Sequence, residues 1–283
     1  MPDLSGKIAL VTGANSGFGL VTTRELSGMG ARVIMACRSR ARGEAAIAEI
    51  HATHPDAQLD LRVVDLADQR SIRALAAELE RELPRLDILV NNAGITANQR
   101  ELGPDGIERV FATNVIAYYL LTELLRPLLL RSAPARIVMV ASEFTGELDF
   151  DDLQVERRRY TNTRAYKQSK ACDLLLTGEF ARRLAGTGVT VNAVGPGLVA
   201  STGIYREQSR LLRWFLGRVI GRGRTVEQGA DTIVWLASAP ELAEVTGGFY
   251  VDRQATAHAY ADPADQRRLW DVCEALTAGT AGS

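Results

Sequence analysis

Residues 7–19 read KIALVTGANSGFG, a strand, a turn and the start of a helix in one short stretch. Lys7–Val11 is a compact aliphatic run, the pattern of a strand covered on both faces. Thr12 closes it, and glycines follow at 13, 17 and 19. Helical spacing resumes at once over Leu20–Met29. A strand that passes through such a turn into a helix collects free backbone N–H groups and the positive end of the helix dipole at one point. Glycine permits both the tight turn and the close approach of a phosphate to the backbone. Gly13, Asn15, Ser16, Gly17, Phe18 and Gly19 are therefore read as a cradle for the pyrophosphate of a dinucleotide.

The alternation repeats down the chain. Ala31–Cys37, Leu59–Val64, Leu86–Val90, Arg136–Ala141 and Val189–Val194 have the same strand pattern, and Phe249–Val251 is a weak seventh. Helical patterns fill the intervals at about 40–53, 68–82, 113–131 and 164–185. Continuous aliphatic strands alternating with helices predict a doubly wound α/β Rossmann fold, a parallel sheet of about seven strands with helices on both faces. No linker, charge block or internal repeat divides it, so residues 1–283 are read as one dinucleotide-binding catalytic domain. A C-terminal extension covers about 252–283, and Thr277–Ser283 are expected to fray.

The 283 residues carry 33 Lys+Arg against 34 Asp+Glu, a formal charge of -1. That balance argues against a dedicated nucleic-acid binder, which carries a basic excess. Three scattered cysteines, Cys37, Cys172 and Cys273, make no disulfide framework and suggest a reducing compartment. His51, His54 and His258 have no partners in sequence that complete a metal site, so no metal is expected. No signal peptide and no apolar run of about 18 residues is visible. Val115–Leu130 comes nearest and is interrupted by Glu123, Arg126 and Pro127. A cytoplasmic protein without a membrane anchor is expected. Only Lys7, Lys167 and Lys170 are lysines. Lys7 is read as opening a strand and Lys167 as solvated, which singles out Lys170.

The end of the second strand, Cys37-Arg38-Ser39-Arg40, bears on the cofactor. An NAD site of this fold places a carboxylate there for the ribose 2′-hydroxyl. None is present, and Glu44 comes only later. Arg38 suits a 2′-phosphate instead, so NADP(H) is favoured and NAD(H) remains possible. Farther along, Tyr166 and Lys170 stand at i and i+4 of a helix and share a face. Tyrosine ionises near pH ~10 unaided, and a neighbouring ammonium stabilises the phenolate needed for acid/base work. Ser142 follows the fifth strand, at the carboxyl edge where sites of this fold lie, and can donate to a carbonyl oxygen or simply cap a turn.

The spacing TGxxxGxG, the Asn91-Asn92-Ala93-Gly94 stretch after the fourth strand and the Tyr-x-x-x-Lys pair together resemble the classical short-chain dehydrogenase/reductase family over about residues 5–276. ACRSRARGE from Ala36, AYKQSKA from Ala165, Ala181-Arg182-Arg183-Leu184 and Arg267–Asp271 are most similar to its retinol-dehydrogenase-like branch. The resemblance implies a catalytic tetrad of Asn114, Ser142, Tyr166 and Lys170, with Asn114 holding a water in a proton relay. It also implies cofactor contacts from Asp65, Leu66, Asn91, Ala93 and Gly94 on the adenine-ribose side. Lys170 would reach the ribose, Pro196 and Gly197 would turn under the nicotinamide, and Ser201 would reach the carboxamide or phosphates. Such an enzyme interconverts a small-molecule carbonyl and an alcohol and assembles as a homodimer or homotetramer. Members with a membrane anchor carry it ahead of the first strand, and no such segment is read here.

The Tyr-to-Lys spacing disfavours an enoyl reductase, and TGxxxGxG disfavours the extended branch. A nucleotide-binding regulator or scaffold with this fold is the alternative from another class. Ser209–Arg224, within a lid region of about 200–224, sets Leu211, Leu212, Phe215, Leu216, Val219 and Ile220 at helical spacing. Its place in the family implies a substrate lid for a bulky apolar molecule; a core-facing helix, a dimer-packing helix and a surface membrane helix are the alternatives. Loop 143–160 is read as the other wall of the substrate pocket.

Overall fold

The computed structural model describes residues 2–197 and 224–279. Within them, eight strands form one sheet in the order β3-β2-β1-β4-β5-β6-β7-β8. They are β1 Ile8–Thr12, β2 Arg32–Cys37, β3 Leu59–Val63, β4 Ile88–Asn91, β5 Ala135–Val140, β6 Val189–Val194, β7 Phe249–Val251 and β8 Gln254–Ala255. All pairings are parallel except β7 with β8. The seven-strand expectation thus gains a two-residue antiparallel edge. Strands this short and exposed leave no periodicity to read.

The helices are α1 Gly17–Gly28, α2 Arg40–His51, α3 Gln69–Glu82, α4 Ala117–Arg131, α5 Asn162–Arg183, α6 Val226–Ser238 and α7 Pro263–Ala278. Each face of the sheet carries its own core. One gathers Leu10, Ile34, Leu89, Ile137 and Val191 with α3, α4, α5 and α7. The other gathers Ala9, Val11, Val33, Val90 and Val138 with α1, α2 and α6. Alternate residues of one strand serve opposite cores, which is why the strands read as unbroken aliphatic runs.

Two helices went unread in the sequence. α6 begins with a capping box, in which Thr225 Oγ1 accepts from Gln228 N at 3.2 Å and Gln228 Oε1 accepts from Thr225 N at 3.0 Å. α7 opens with Asp262 as cap and Pro263 in the first turn. It packs on α5 where Gly178 leaves room: a Cβ there would stand 2.2 Å from Gln266 Nε2. Thr277, expected to fray, is buried in this helix and donates to Cys273 O at 2.8 Å.

The chain reverses its winding between β1 and β4. Their carboxyl ends, with the β2, β5 and β6 ends beside them, bound the crevice where a ligand sits in this architecture.

Candidate active site

The crevice floor is built by one hydroxyl. Thr12 Oγ1 accepts from Asn92 N at 2.8 Å and Ala93 N at 3.0 Å and donates to Val90 O at 3.3 Å. Asn92 Nδ2 returns a bond to Thr12 O at 2.7 Å. The ends of β1 and β4 are thereby locked together, and Gly13 is pressed against Ala93. A Cβ at Gly13 would meet Ala93 Cα at 3.1 Å. Gly13 also has φ +66 and Gly17 φ +56, a left-handed backbone that favours glycine. At Gly17 nothing lies within 4 Å of where a Cβ would stand, so the turn presents bare backbone.

The cavity over this floor is lined by Gly13, Asn15, Ser16, Gly17 and Phe18 from the turn. Arg38, Asp65 and Leu66 line its β2–β3 side, and Ala93, Gly94, Tyr166, Lys170 and Pro196 line the other. Thirteen residues expected from sequence therefore face one space. Gly19 is buried beneath the turn. Asn91 is placed elsewhere: it is fully buried, and its Nδ2 donates to Thr122 Oγ1 at 2.9 Å. Its neighbour Asn92 lines the cavity instead. Gly197 packs against Arg224, and Ser201 lies outside the described residues, as does the lid segment up to residue 223.

Sequence reading missed Arg42. It lines the cavity with Arg38 and, with the Asn15 amide turned to match, donates to Asn15 from Nη2 at 3.1 Å and Nε at 3.2 Å. The signal was its position four residues beyond Arg38 at the start of α2. The one carboxylate among the described lining residues, Asp65, is turned to its own loop, where Oδ1 accepts from Ala67 N at 2.9 Å. The arginines thus keep their charge for a ligand.

At the far end, Tyr166 is half-buried and its hydroxyl makes no hydrogen bond among the described residues. Lys170 Nζ lies 5.9 Å from its ring centroid. That ammonium donates to Val140 O and to Asp173 Oδ2, each at 2.8 Å. Burial disfavours its charge, but Asp173 and the nearby tyrosines outweigh this and push the Lys170 pKa up. Ser142 Oγ accepts from Phe144 N at 2.9 Å, which leaves its proton to donate. Asn114 sits in a π-turn, Ala112–Ile116, just before α4. Its Oδ1 accepts from Ile95 N at 2.9 Å, and its Nδ2 donates to Ile95 O at 3.1 Å and Ser169 Oγ at 3.0 Å. It ties the loop after β4 to α5, the helix that carries Tyr166 and Lys170. A Cβ on Gly94 would stand 3.7 Å from both Asn114 Oδ1 and Lys170 Nζ.

A family model for short chain dehydrogenase matches residues 7–211. The chain belongs to the short-chain dehydrogenase family. Retinol dehydrogenase 14 of Mus musculus is 39% identical over 289 residues, covering 96% of this chain and 86% of the relative. A crystal structure of an uncharacterized protein from Mycobacterium Paratuberculosis superposes with a TM-score of 0.78 at 33% identity, covering 98% and 96% of the two chains. The Pseudomonas aeruginosa RhlG/NADP active-site complex gives a TM-score of 0.70 at 27% identity over 92% and 98%. Within the family, the similarity places the chain on the retinol-dehydrogenase-like branch. This short-chain dehydrogenase is an oxidoreductase that acts on CH–OH groups with NAD(P). No helix among the described residues is long and apolar enough to cross a membrane. No group of three or more metal-ligating side chains occurs among them.

Proposed function

We propose that this chain is an NADP(H)-dependent oxidoreductase that interconverts an alcohol and a ketone or aldehyde on an apolar small molecule, with Tyr166 as acid/base. The observation that carries this reading is that Tyr166 and Lys170 line the same cavity as the glycine cradle and the two arginines. The bare turn, the open helix end and the paired cations fit a dinucleotide phosphate. Gly13, Ser16, Gly17 and Phe18 would hold its pyrophosphate, and Arg38 and Arg42 its 2′-phosphate. Asp65 and Leu66 would border the adenine, Ala93 and Gly94 the ribose, and Pro196 the nicotinamide. When bound, the nicotinamide supplies or accepts the hydride.

The chain's own groups handle the proton. Tyr166 Oη gives a proton to the carbonyl oxygen in reduction and takes it from the alcohol in oxidation. Lys170 keeps a positive charge 5.9 Å from the centre of the phenol ring and lines the cavity with it. Ser142 Oγ donates to the carbonyl oxygen and stabilises the charge that develops there. Asn114 fixes the loop and helix that frame the pair. Family membership supports a homodimer or homotetramer, which light-scattering mass tests; the proposed cytoplasmic location is tested by cell fractionation.

The experiment is a panel of aldehydes and ketones with NADPH, followed by nicotinamide absorbance. Tyr166→Phe is expected to bind NADPH as wild type does and to lose turnover by roughly a thousandfold, the range ascribed to acid/base groups. Turnover retained by that variant would sink the mechanism. NADPH binding without turnover on any carbonyl would favour the regulator reading.

A further inference from the structure

Asp173 is a carboxylate with no exposed surface, one turn beyond Lys170 on α5. Its Oδ2 accepts from Lys170 Nζ at 2.8 Å, while Oδ1 is buried with no partner among the described residues. A buried carboxylate with half its acceptors unused is costly, and packing alone does not call for one. What it does is visible in the donor count of its neighbour. An ammonium has three N–H groups. Val140 O takes one and Asp173 a second, which leaves one for the cavity that Lys170 lines.

The titratable groups around this pair are Tyr166 and Cys172 of the same helix, Tyr118 from α4 and Cys273 from α7. Burial pushes Tyr118, Cys172 and Cys273 upward, so they stay neutral near neutral pH. Among the described residues, no third ionised group therefore faces the Lys170–Asp173 pair. Burial also pushes the Asp173 carboxyl up, against the pull of Lys170. That direction agrees with its unpartnered oxygen.

We propose that Asp173 is a positioning residue for Lys170. It fixes the ammonium so that a single N–H faces the cavity. The inference rests on the Tyr166–Lys170 reading above. Replacing Asp173 with an apolar side chain frees the ammonium to rotate.

The test compares Asp173→Asn, which keeps an acceptor oxygen, with Asp173→Leu, which keeps none; Asp173→Ala serves if the leucine variant does not fold. Calorimetric titration with NADPH, and kcat and KM for alcohol oxidation, are read for each. Asp173→Leu is expected to weaken NADPH binding roughly tenfold, the effect of misplacing one charge-assisted hydrogen bond. Asp173→Asn is expected to restore the affinity to within about threefold of wild type, since an acceptor oxygen remains. Wild-type affinity in the apolar variant, or an Asp173→Asn affinity as weak as that of the apolar variant, overturns the proposal. If wild type turns over no carbonyl yet the affinities follow this order, Asp173 positions Lys170 and the proposed carbonyl chemistry with Tyr166 falls. If Tyr166-dependent turnover is present and both variants behave as wild type, only the Asp173 proposal falls.

Discussion

A methyl group at position 19 would stand 2.4 Å from Gly13 O and 2.5 Å from Asn92 Nδ2. One of these is backbone and the other is committed to Thr12, so neither can give way cheaply. Gly19→Ala should therefore distort the turn, at about 1–3 kcal/mol for overpacking, and weaken NADPH binding by tenfold or more; calorimetry checks it. Arg38 and Arg42 carry a second prediction. Changing both to Asp reverses the charge where the 2′-phosphate would lie. The ratio of kcat/KM with NADPH to that with NADH should fall on the order of a hundredfold, two charge-assisted bonds being lost. An unchanged ratio would show that neither arginine selects the cofactor. The three lysines divide by role. Lys7 forms an ion pair with Asp87 at 2.9 Å, Lys167 lies 4.0 Å over the Phe144 ring, and Lys170 alone turns inward. Its inward turn was legible in the Tyr-x-x-x-Lys spacing. Its partner Asp173 was not, because an i,i+3 Lys–Asp pair reads as ordinary helix surface until burial is known.

At the scale of elements, loop 149–158 illustrates how one side chain can hold a loop together. Asp152 is buried and accepts from the backbone N–H of Arg157 and Arg158, at 3.1 Å each, and from Arg158 Nε at 3.0 Å. Burial opposes its charge, but these donors outweigh it and hold its pKa at about 2, below the ordinary 3.8. The folded value is depressed. This contribution is therefore complete well above pH 3.8 and is lost as pH falls from there through about 2. Limited proteolysis across that interval, with an acid-active protease, should show cleavage in this loop rising as pH falls. Asp152→Asn should cleave readily already at neutral pH. The caps of α6 and α7 teach a related lesson. Thr225-Val226-Glu227-Gln228 and Asp262-Pro263 are start signals that sequence alone offers. The π-turn that holds Asn114 offers none, because only the geometry of the helix entry distinguishes it from an ordinary first turn.

Across the whole molecule, α7 seals one face of α4 and α5. The Trp270 ring stands 4.8 Å from Tyr119 and 4.9 Å from Phe180, both edge-on, and the Arg183 guanidinium stacks on it at 3.9 Å. Trp270→Ala should cost about 3–5 kcal/mol and lower Tm, and by loosening α5 it should also lower kcat. Denaturant unfolding and kinetics on the same sample measure both. Should stability fall with kcat untouched, α7 would not support the site.

The sequence by itself determined the doubly wound sheet, the glycine cradle after β1 and the Tyr166–Lys170 face. Each of these is written in local order, as an aliphatic run, a glycine spacing or a helical repeat. Only the tertiary structure decided that Asn92 rather than Asn91 lines the cavity, that Arg42 joins Arg38, and that Asp173 stands behind Lys170. Those outcomes depend on which face of an element is buried and on what the neighbouring element brings against it, and no single segment encodes that.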